Sequence, residues 1–306
     1  VAYDTILVFQ DRFKSHIMPD RLHILNVSFL VPEMRREYGG CAANIAYGLK
    51  LLGDRGVPMA AVGHDFAPYR DRLQALGVPV DYIAVIPDLF TAQAYITTDL
   101  DDNQITAFHP GAMQEAHRNR VGDVAVDIAL GIVAPDGRQA MIEHAAQFAA
   151  AEIPFIFDPG QGLPMFDADE LKTFLAQATW VAVNDYEWGM LRQKTGLSAA
   201  DVTHLVDALI VTRAGEGSAI YTQERTIEVP CAKPLAVVDP TGCGDAYRAG
   251  LIHGLLKGLD WETTGRVAAL MGAIKIESRG PQNHRFTRSE FAQRFHDSFG
   301  DMQPGL

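Results

Sequence analysis

The chemistry-bearing residues crowd into one stretch, Val237-Val238-Asp239-Pro240-Thr241-Gly242-Cys243-Gly244-Asp245-Ala246-Tyr247-Arg248. It runs from an apolar strand end, through a turn with two close glycines, into an apolar-periodic segment reaching Leu256. A helix that starts from such a turn leaves its first amides unpaired at the positive end of its dipole, which makes an anion seat. Gly242 and Gly244 let the backbone come close to that anion. Asp245 puts a carboxylate beside it. That charge would repel a phosphate that is merely bound, but it suits a base taking a proton from a hydroxyl that attacks phosphorus. Phosphoryl transfer is one reading of the stretch. An acidic cap on an ordinary glycine turn is the other, and local chemistry alone does not separate them.

The elements around this turn point to an α/β body. After residue 120, apolar strands are expected at Ile128–Ala134, Phe155–Phe157, Trp180–Val183 and Leu209–Thr212, each separated by a helical segment. Such alternation predicts a mainly parallel central sheet flanked by helices, with ligands beyond the strand C-termini. Polar residues and glycines collect there: Asp158-Pro159-Gly160, Asn184-Asp185-Tyr186-Glu187 and Arg213-Ala214-Gly215-Glu216-Gly217. Earlier in the chain, Val1–Phe9 reads as a strand already under way, so the numbering is expected to begin inside it. Residues 12–38, with the β-branched and aromatic run Ile24–Val31 closed by Pro32, read as short strands. Gly39-Gly40 breaks the chain before a helix whose apolar residues run from Ala42 to Leu52, with Gly53 as its cap. Thr91–Thr98 and Gln104–Phe108 form a strand pair joined by a polar turn over 99–103. Strands without intervening helix predict a small inserted β-sheet lid, formed by about 10–38 and 88–113, on a single domain over 1–306 whose large α/β body is the remainder.

Composition narrows the partners. The chain has 306 residues, 48% of them hydrophobic and 21% charged, and a net charge of −12. That acidic balance gives no general attraction for nucleic acid or an anionic membrane surface. Three separated cysteines, Cys41, Cys231 and Cys243, argue for reduced thiols in a cytoplasm. No apolar run approaches the ~20 residues of a membrane span. The Walker pattern G-x-x-x-x-G-K-[ST] is absent, and the third glycine of a dinucleotide fingerprint would fall on Tyr247.

Asp239-Pro240-Thr241-Gly242-Cys243-Gly244-Asp245-Ala246-Tyr247 resembles the D-T-x-G-A-G-D-x-F signature of the ribokinase-like (PfkB) carbohydrate and nucleoside kinases. Gly39-Gly40 with Asn44 is similar to that family's G-G-x-x-x-N. Gly63 and Asp65 are similar to its V-G-x-D, Asn184 and Glu187 to its N-x-x-E, and Gly280-Pro281-Gln282 to its late G-A-Q loop. The resemblance implies a ribokinase-like fold and ATP as phosphoryl donor. It makes Asp245 the base and the amides of Gly242, Cys243 and Gly244 the anion hole. Asn184 and Glu187 become organisers of Mg²⁺ and phosphate, Glu187 through metal-bound water. Thr212, Gly215, Gly217 and Asn283 are implied on the ATP side, and a monovalent cation such as K⁺ at Asp239 and Thr241. The chain departs from the family's T-x-G-x-x-G at Ala214, where a different local backbone is expected. Arg248, one turn beyond Asp245, would reach phosphate, form a salt bridge or meet solvent, and the Cys243 thiol is expected to pack.

The acceptor follows from further residues. By the resemblance, Asp4 and Asn44 bind two vicinal hydroxyls of a sugar, and Gly39-Gly40 is the hinge of the lid. A carboxylate accepts two hydroxyl protons while an amide donates and accepts, which suits a ribose diol. Phe13, Ile24, Val27, Phe29, Phe90, Ile96 and Phe108 make the lid more apolar than a bare sugar requires, with Phe13 and Phe108 placed to meet a base. The segment Thr97–Met113 also resembles the adenosine and broad-range nucleoside kinase branch. The leading expectation is therefore a cytoplasmic, ATP-dependent purine nucleoside kinase, monomeric or dimeric through its lid. A ribokinase- or fructokinase-like sugar kinase is the alternative of the same class, and a catalytically silent nucleoside sensor the alternative of another.

Overall fold

Alternating side chains on short buried strands dictate the body of this protein. Its computed structural model describes residues 1–17, 24, 26–101 and 103–300. Strands β7 (Gly131–Val133), β8 (Phe155–Phe157), β9 (Trp180–Asn184), β10 (Ala208–Thr212), β11 (Ser218–Tyr221) and β12 (Thr226–Val229) form one six-stranded sheet in the order β12-β11-β10-β9-β8-β7. The pairs from β7 to β10 are parallel, and β11 and β12 add an antiparallel edge. Successive residues point to opposite faces. Phe157, Val181, Val183, Leu209 and Val211 pack with helices α3 (Arg138–Ala150), α4 (Ala168–Gln177) and α5 (Asp185–Thr195). Ile156, Ala182 and Ile210 pack on the other face with α7 (Cys243–Leu256), α8 (Trp261–Ile276) and α9 (Arg288–Phe299). Both faces are dry, which is why these strands read as continuous apolar runs.

A separate four-stranded sheet forms the lid, in the order β2-β1-β5-β6. Its members are β1 (Ala2–Val8), β2 (Glu33–Gly39), β5 (Ala92–Thr98) and β6 (Gln104–His109). The short parallel pair β3 (Ala60–Gly63) and β4 (Ile83–Ile86) stands apart, beside α1 (Cys41–Leu51) and α2 (Ala67–Leu76). Tyr3 of β1 joins Ala43, Tyr47, Val62 and Tyr69 in one buried cluster that roots the lid on the body.

Two expectations are corrected here. The first strand, assigned to the body, is a central strand of the lid sheet, pairing β2 on one side and β5 on the other. Its apolar run is the same in either place, so composition could not choose. The strand expected at Ile24–Val31 is also misplaced: residues 24 and 26–31 are not strand, and the remainder of that run, residue 25, lies outside the described residues. The strand is instead Glu33–Gly39, whose charged residues suit an edge. Seven registered pairs with β1 hold it, an interaction invisible in its own hydropathy.

Candidate active site

Asp245 is the third residue of α7, and Gly242 caps that helix at φ 81°, a left-handed conformation suited to glycine. A Cβ at Gly242 would also meet Pro281 at 2.6 Å. The amide of Cys243 donates to the Pro240 carbonyl at 3.1 Å, which corrects the expectation that it faces an anion. Among the described residues, the amides of Gly242, Gly244 and Asp245 have no protein partner. A Cβ at Gly244 would meet nothing within 4 Å, so the backbone there is open to a ligand.

Asn44, on α1, donates from Nδ2 to Asp245 Oδ2 at 2.8 Å. Its Oδ1 accepts from Gln282 Nε2 at 2.8 Å, and the same nitrogen donates to the Tyr69 hydroxyl at 2.5 Å. Tyr69 in turn donates to the carbonyl of Gly39 at 2.8 Å. One chain of hydrogen bonds thus runs from the Gly39-Gly40 connection under the lid to Asp245. Each end of the Asn44 amide is thus held by one protein bond, which leaves one N–H and one lone pair over. Gly39 is required for another reason, since a Cβ there would lie 2.5 Å from Asp4 Oδ2.

The electrostatics are those of crowded carboxylates. Burial, and next the charge of Asp245, push the Asp4 pKa up to about 6. Burial also raises Asp245, opposed by the Asn44 hydrogen bond, reinforced by Asp158, and opposed again by the Cys41 thiol and Arg248. Its place at a helix start is therefore not enough to fix the charge of Asp245; the neighbours set it. Burial likewise pushes Asp136, just past β7, up to about 6.

Asn184 and Glu187 form a reciprocal capping box at the start of α5. Asn184 Oδ1 accepts from the Glu187 amide, and Glu187 Oε2 from the Asn184 amide, each at 2.8 Å. The cap holds Glu187 half-buried at the sheet end, where burial raises its pKa, the Asn184 amide lowers it and Asp158 raises it further. Arg248 is 5% exposed and makes a two-pronged salt bridge to Asp158, at 3.1 Å for each bond. That settles its expected alternatives in favour of the salt bridge. Among the described residues, no three His, Cys, Asp or Glu side chains converge on one metal-binding point. A divalent ion held by phosphate and water, with Glu187 in its outer sphere, fits this donor set, because Mg²⁺ commonly keeps several waters.

Of the residues expected on the ATP side, Thr212 of β10 lies in register beside Asn184 of β9. Ala214 adopts φ 46°, so the chain keeps the left-handed backbone of a glycine there, contrary to the expected difference. Gly217 (φ 87°) leaves no room for a Cβ, which would fall 2.1 Å from the Val229 carbonyl, whereas one at Gly215 would meet nothing within 4 Å. Asn283 accepts from Arg72 at 2.8 Å and donates to the Arg279 carbonyl at 2.8 Å, close to Glu37 of the lid. Tyr247, where the family signature has Phe, satisfies its buried hydroxyl on Ser218 at 2.7 Å.

In the lid, Asp4 pairs with Ala94 and Ala94 with Phe108, so all three share one face and one row. Two strand spacings separate the backbones of Phe108 and Asp4 by about 10 Å, with both side chains directed to the same side. Phe108 is 53% exposed on that face. Phe13 is buried against Phe9 and Phe29 and serves the lid's own packing. Sequence reasoning missed the roles of Gln282, Tyr69 and Asp158, whose partners lie far along the chain. The signal for Lys275 was present: a lysine among the apolar positions of α8.

The model of the pfkB family carbohydrate kinases matches residues 13–287. The chain is 50% identical to a Burkholderia thailandensis nucleoside kinase solved in complex with inosine, with a TM-score of 0.91 over 99% of this chain and 97% of that one. It is 51% identical to that kinase solved with ADP-inosine, at a TM-score of 0.89 over 100% and 96% of the chains. A nucleoside kinase of Methanocaldococcus jannaschii is 33% identical over 88% of this chain and 89% of its own.

Proposed function

The chain belongs to the pfkB family of carbohydrate kinases, and from that premise we propose that it is an ATP-dependent nucleoside kinase, transferring the γ-phosphate to the ribose 5′-hydroxyl of a purine nucleoside. It is a phosphotransferase with an alcohol group as acceptor. The observation that carries the nucleoside reading is Phe108, exposed on the lid face and in the same row as Asp4. A sugar held at Asp4 brings an attached base against that ring, and stacking on an aromatic face tolerates different bases. The inosine complexes of the Burkholderia kinase support the same acceptor class.

In this reading the 5′-hydroxyl oxygen attacks the γ-phosphorus and its proton passes to the Asp245 carboxylate, while ADP leaves. The amides of Gly242, Gly244 and Asp245 hold the moving phosphoryl group at the positive end of α7, where preorganised donors stabilise charge best. Asn44 keeps the Asp245 carboxylate oriented. Mg²⁺, arriving with ATP, neutralises phosphate charge when bound, with Asn184 and Glu187 facing that side. Lid closure excludes water and so suppresses hydrolysis of ATP.

The reading extends to a cytoplasmic enzyme that dimerises through its lid. Met34, Tyr95 and Ile105 are exposed on the lid face opposite Asp4, an apolar surface suited to a second copy. Among the described residues, no helix is long and apolar enough to cross a membrane. Light scattering reports the dimer directly.

ADP release with Mg·ATP over adenosine, inosine, guanosine, cytidine, ribose and fructose tests the function. Turnover is expected on the purine nucleosides. Turnover on ribose with none on nucleosides would overturn the reading in favour of a sugar kinase, and tight nucleoside binding without turnover would favour a sensor.

A further inference from the structure

Lys275, in the last turn of α8, is fully buried. Its Nζ donates to the Asp239 carbonyl at 2.7 Å and to the Ser278 carbonyl at 3.1 Å. The Asp239 carboxylate accepts from the Thr241 and Gly280 amides, each at 2.9 Å, so two loops close around one ammonium. These loops border the active site on both sides: Thr241 precedes the Gly242 cap of α7, and Gly280 precedes Gln282, which holds Asn44. Burial pushes the Lys275 pKa down, while Cys243, Asp239 and Glu37 push it back up. Above the turn, Arg35 of the lid lies 3.7 Å from Asp239 Oδ2.

A buried positive charge on backbone carbonyls beside a carboxylate is the chemistry of a monovalent cation site. An ammonium and K⁺ carry the same charge, are close in size, and take the same carbonyl oxygens. The family resemblance placed such an ion at Asp239 and Thr241. A free K⁺ on the same Asp239 carbonyl would meet the Lys275 ammonium at close range, and two buried like charges there repel strongly.

We propose that Lys275 is an internal cation that replaces a bound monovalent ion, positions the 239–242 turn for phosphoryl transfer and frees this kinase from K⁺. It acts through the turn and is a positioning residue. The charge is tethered to α8, so its occupancy does not vary with the salt around the protein. Packing alone would explain a buried lysine without any relation to added cations, and that difference makes the idea testable.

The test measures inosine phosphorylation with Mg·ATP, and Tm, in choline chloride and in KCl, for the wild type and for Lys275→Ala. Wild-type turnover and Tm are expected to be the same in both salts. Lys275→Ala should lose about tenfold or more in choline, the size of a lost charge-assisted contact. K⁺, NH₄⁺ or ethylammonium should restore much of that turnover and raise the variant's Tm, and tetramethylammonium should do neither. A wild type that needs K⁺ for turnover overturns the proposal, even where the variant fails to fold. So does a folded variant with full turnover in choline, or one that no cation restores. Absence of wild-type turnover in every salt would count instead against the nucleoside kinase reading.

Discussion

Asn44 Nδ2 and Asp245 Oδ2 meet at 2.8 Å although 201 positions separate the two residues in the chain. The bond fixes the carboxylate beside the open amides of α7 and favours its ionised form against the burial that raises its pKa. Two independent motifs are thereby joined into one device, and the device makes definite demands on substitution.

Asp245→Asn preserves shape and the amide seat but removes the proton acceptor. Turnover should fall by about 10²–10⁴-fold, the usual contribution of a general base, with nucleoside and ATP affinities changed little. Steady-state rates together with calorimetric binding check this. Full activity would remove Asp245 from the chemistry.

The Asp4 carboxyl, raised to about 6, gives a pH dependence with a definite sign. An acid with a raised folded pKa contributes stability that is fully present below its ordinary unfolded value and is lost as pH rises through about 6. Asp4→Asn should therefore raise Tm at pH 8 and make little difference at pH 4. If ionised Asp4 binds the sugar, wild-type kcat/KM for nucleoside should fall as pH drops below about 6, and the variant should lose both affinity and that limb. A wild-type profile flat from pH 5 to 8 would contradict this assignment.

Gln282 and Tyr69 are argued to position Asn44, not to touch substrate. Gln282→Leu leaves Asn44 Oδ1 without its donor, a loss of about 1–3 kcal/mol for a buried polar group. Asp245 then loses its orientation, so kcat should drop by more than KM rises. Tyr69→Phe breaks the link to the Gly39 carbonyl while Asn44 keeps Gln282, and its effect on kcat should be smaller. Equal effects of both variants on Tm alone, with kcat unchanged, would reduce the chain of bonds to a packing role.

Ala214 carries a backbone made for glycine, at φ 46°. The left-handed conformation costs an L-residue roughly 1–2 kcal/mol, and glycine's extra freedom in the unfolded chain cancels roughly 0.5–1 of that. Ala214→Gly should therefore stabilise the protein by about 0.5–1 kcal/mol, seen as a Tm rise of about 1–4 °C. A lower Tm would show that the alanine methyl has packing worth more than the strain.

The order of the body's strands and helices, the glycine turn that opens a helix at Gly242–Asp245 and the glycines at 39 and 40 were legible in the amino-acid sequence. Each rests on local physics: the two-residue and 3.6-residue repeats of buried faces, and backbone conformations that only glycine adopts cheaply. Tertiary structure alone decided the rest. Val1–Phe9 has the same apolar pattern as a lid strand or a body strand, and only its pairing with β2 and β5 chose between them. The place of Glu187 is likewise tertiary: its capping box with Asn184 sets it beside Asp158, past the end of a strand that no local pattern puts there. Arg248 found Asp158 ninety positions away, and Lys275 found the Asp239 carbonyl across thirty-six. A buried charge is tolerable only beside its partner, and which partner stands there is set by sheet register and helix packing, which no local stretch of sequence contains.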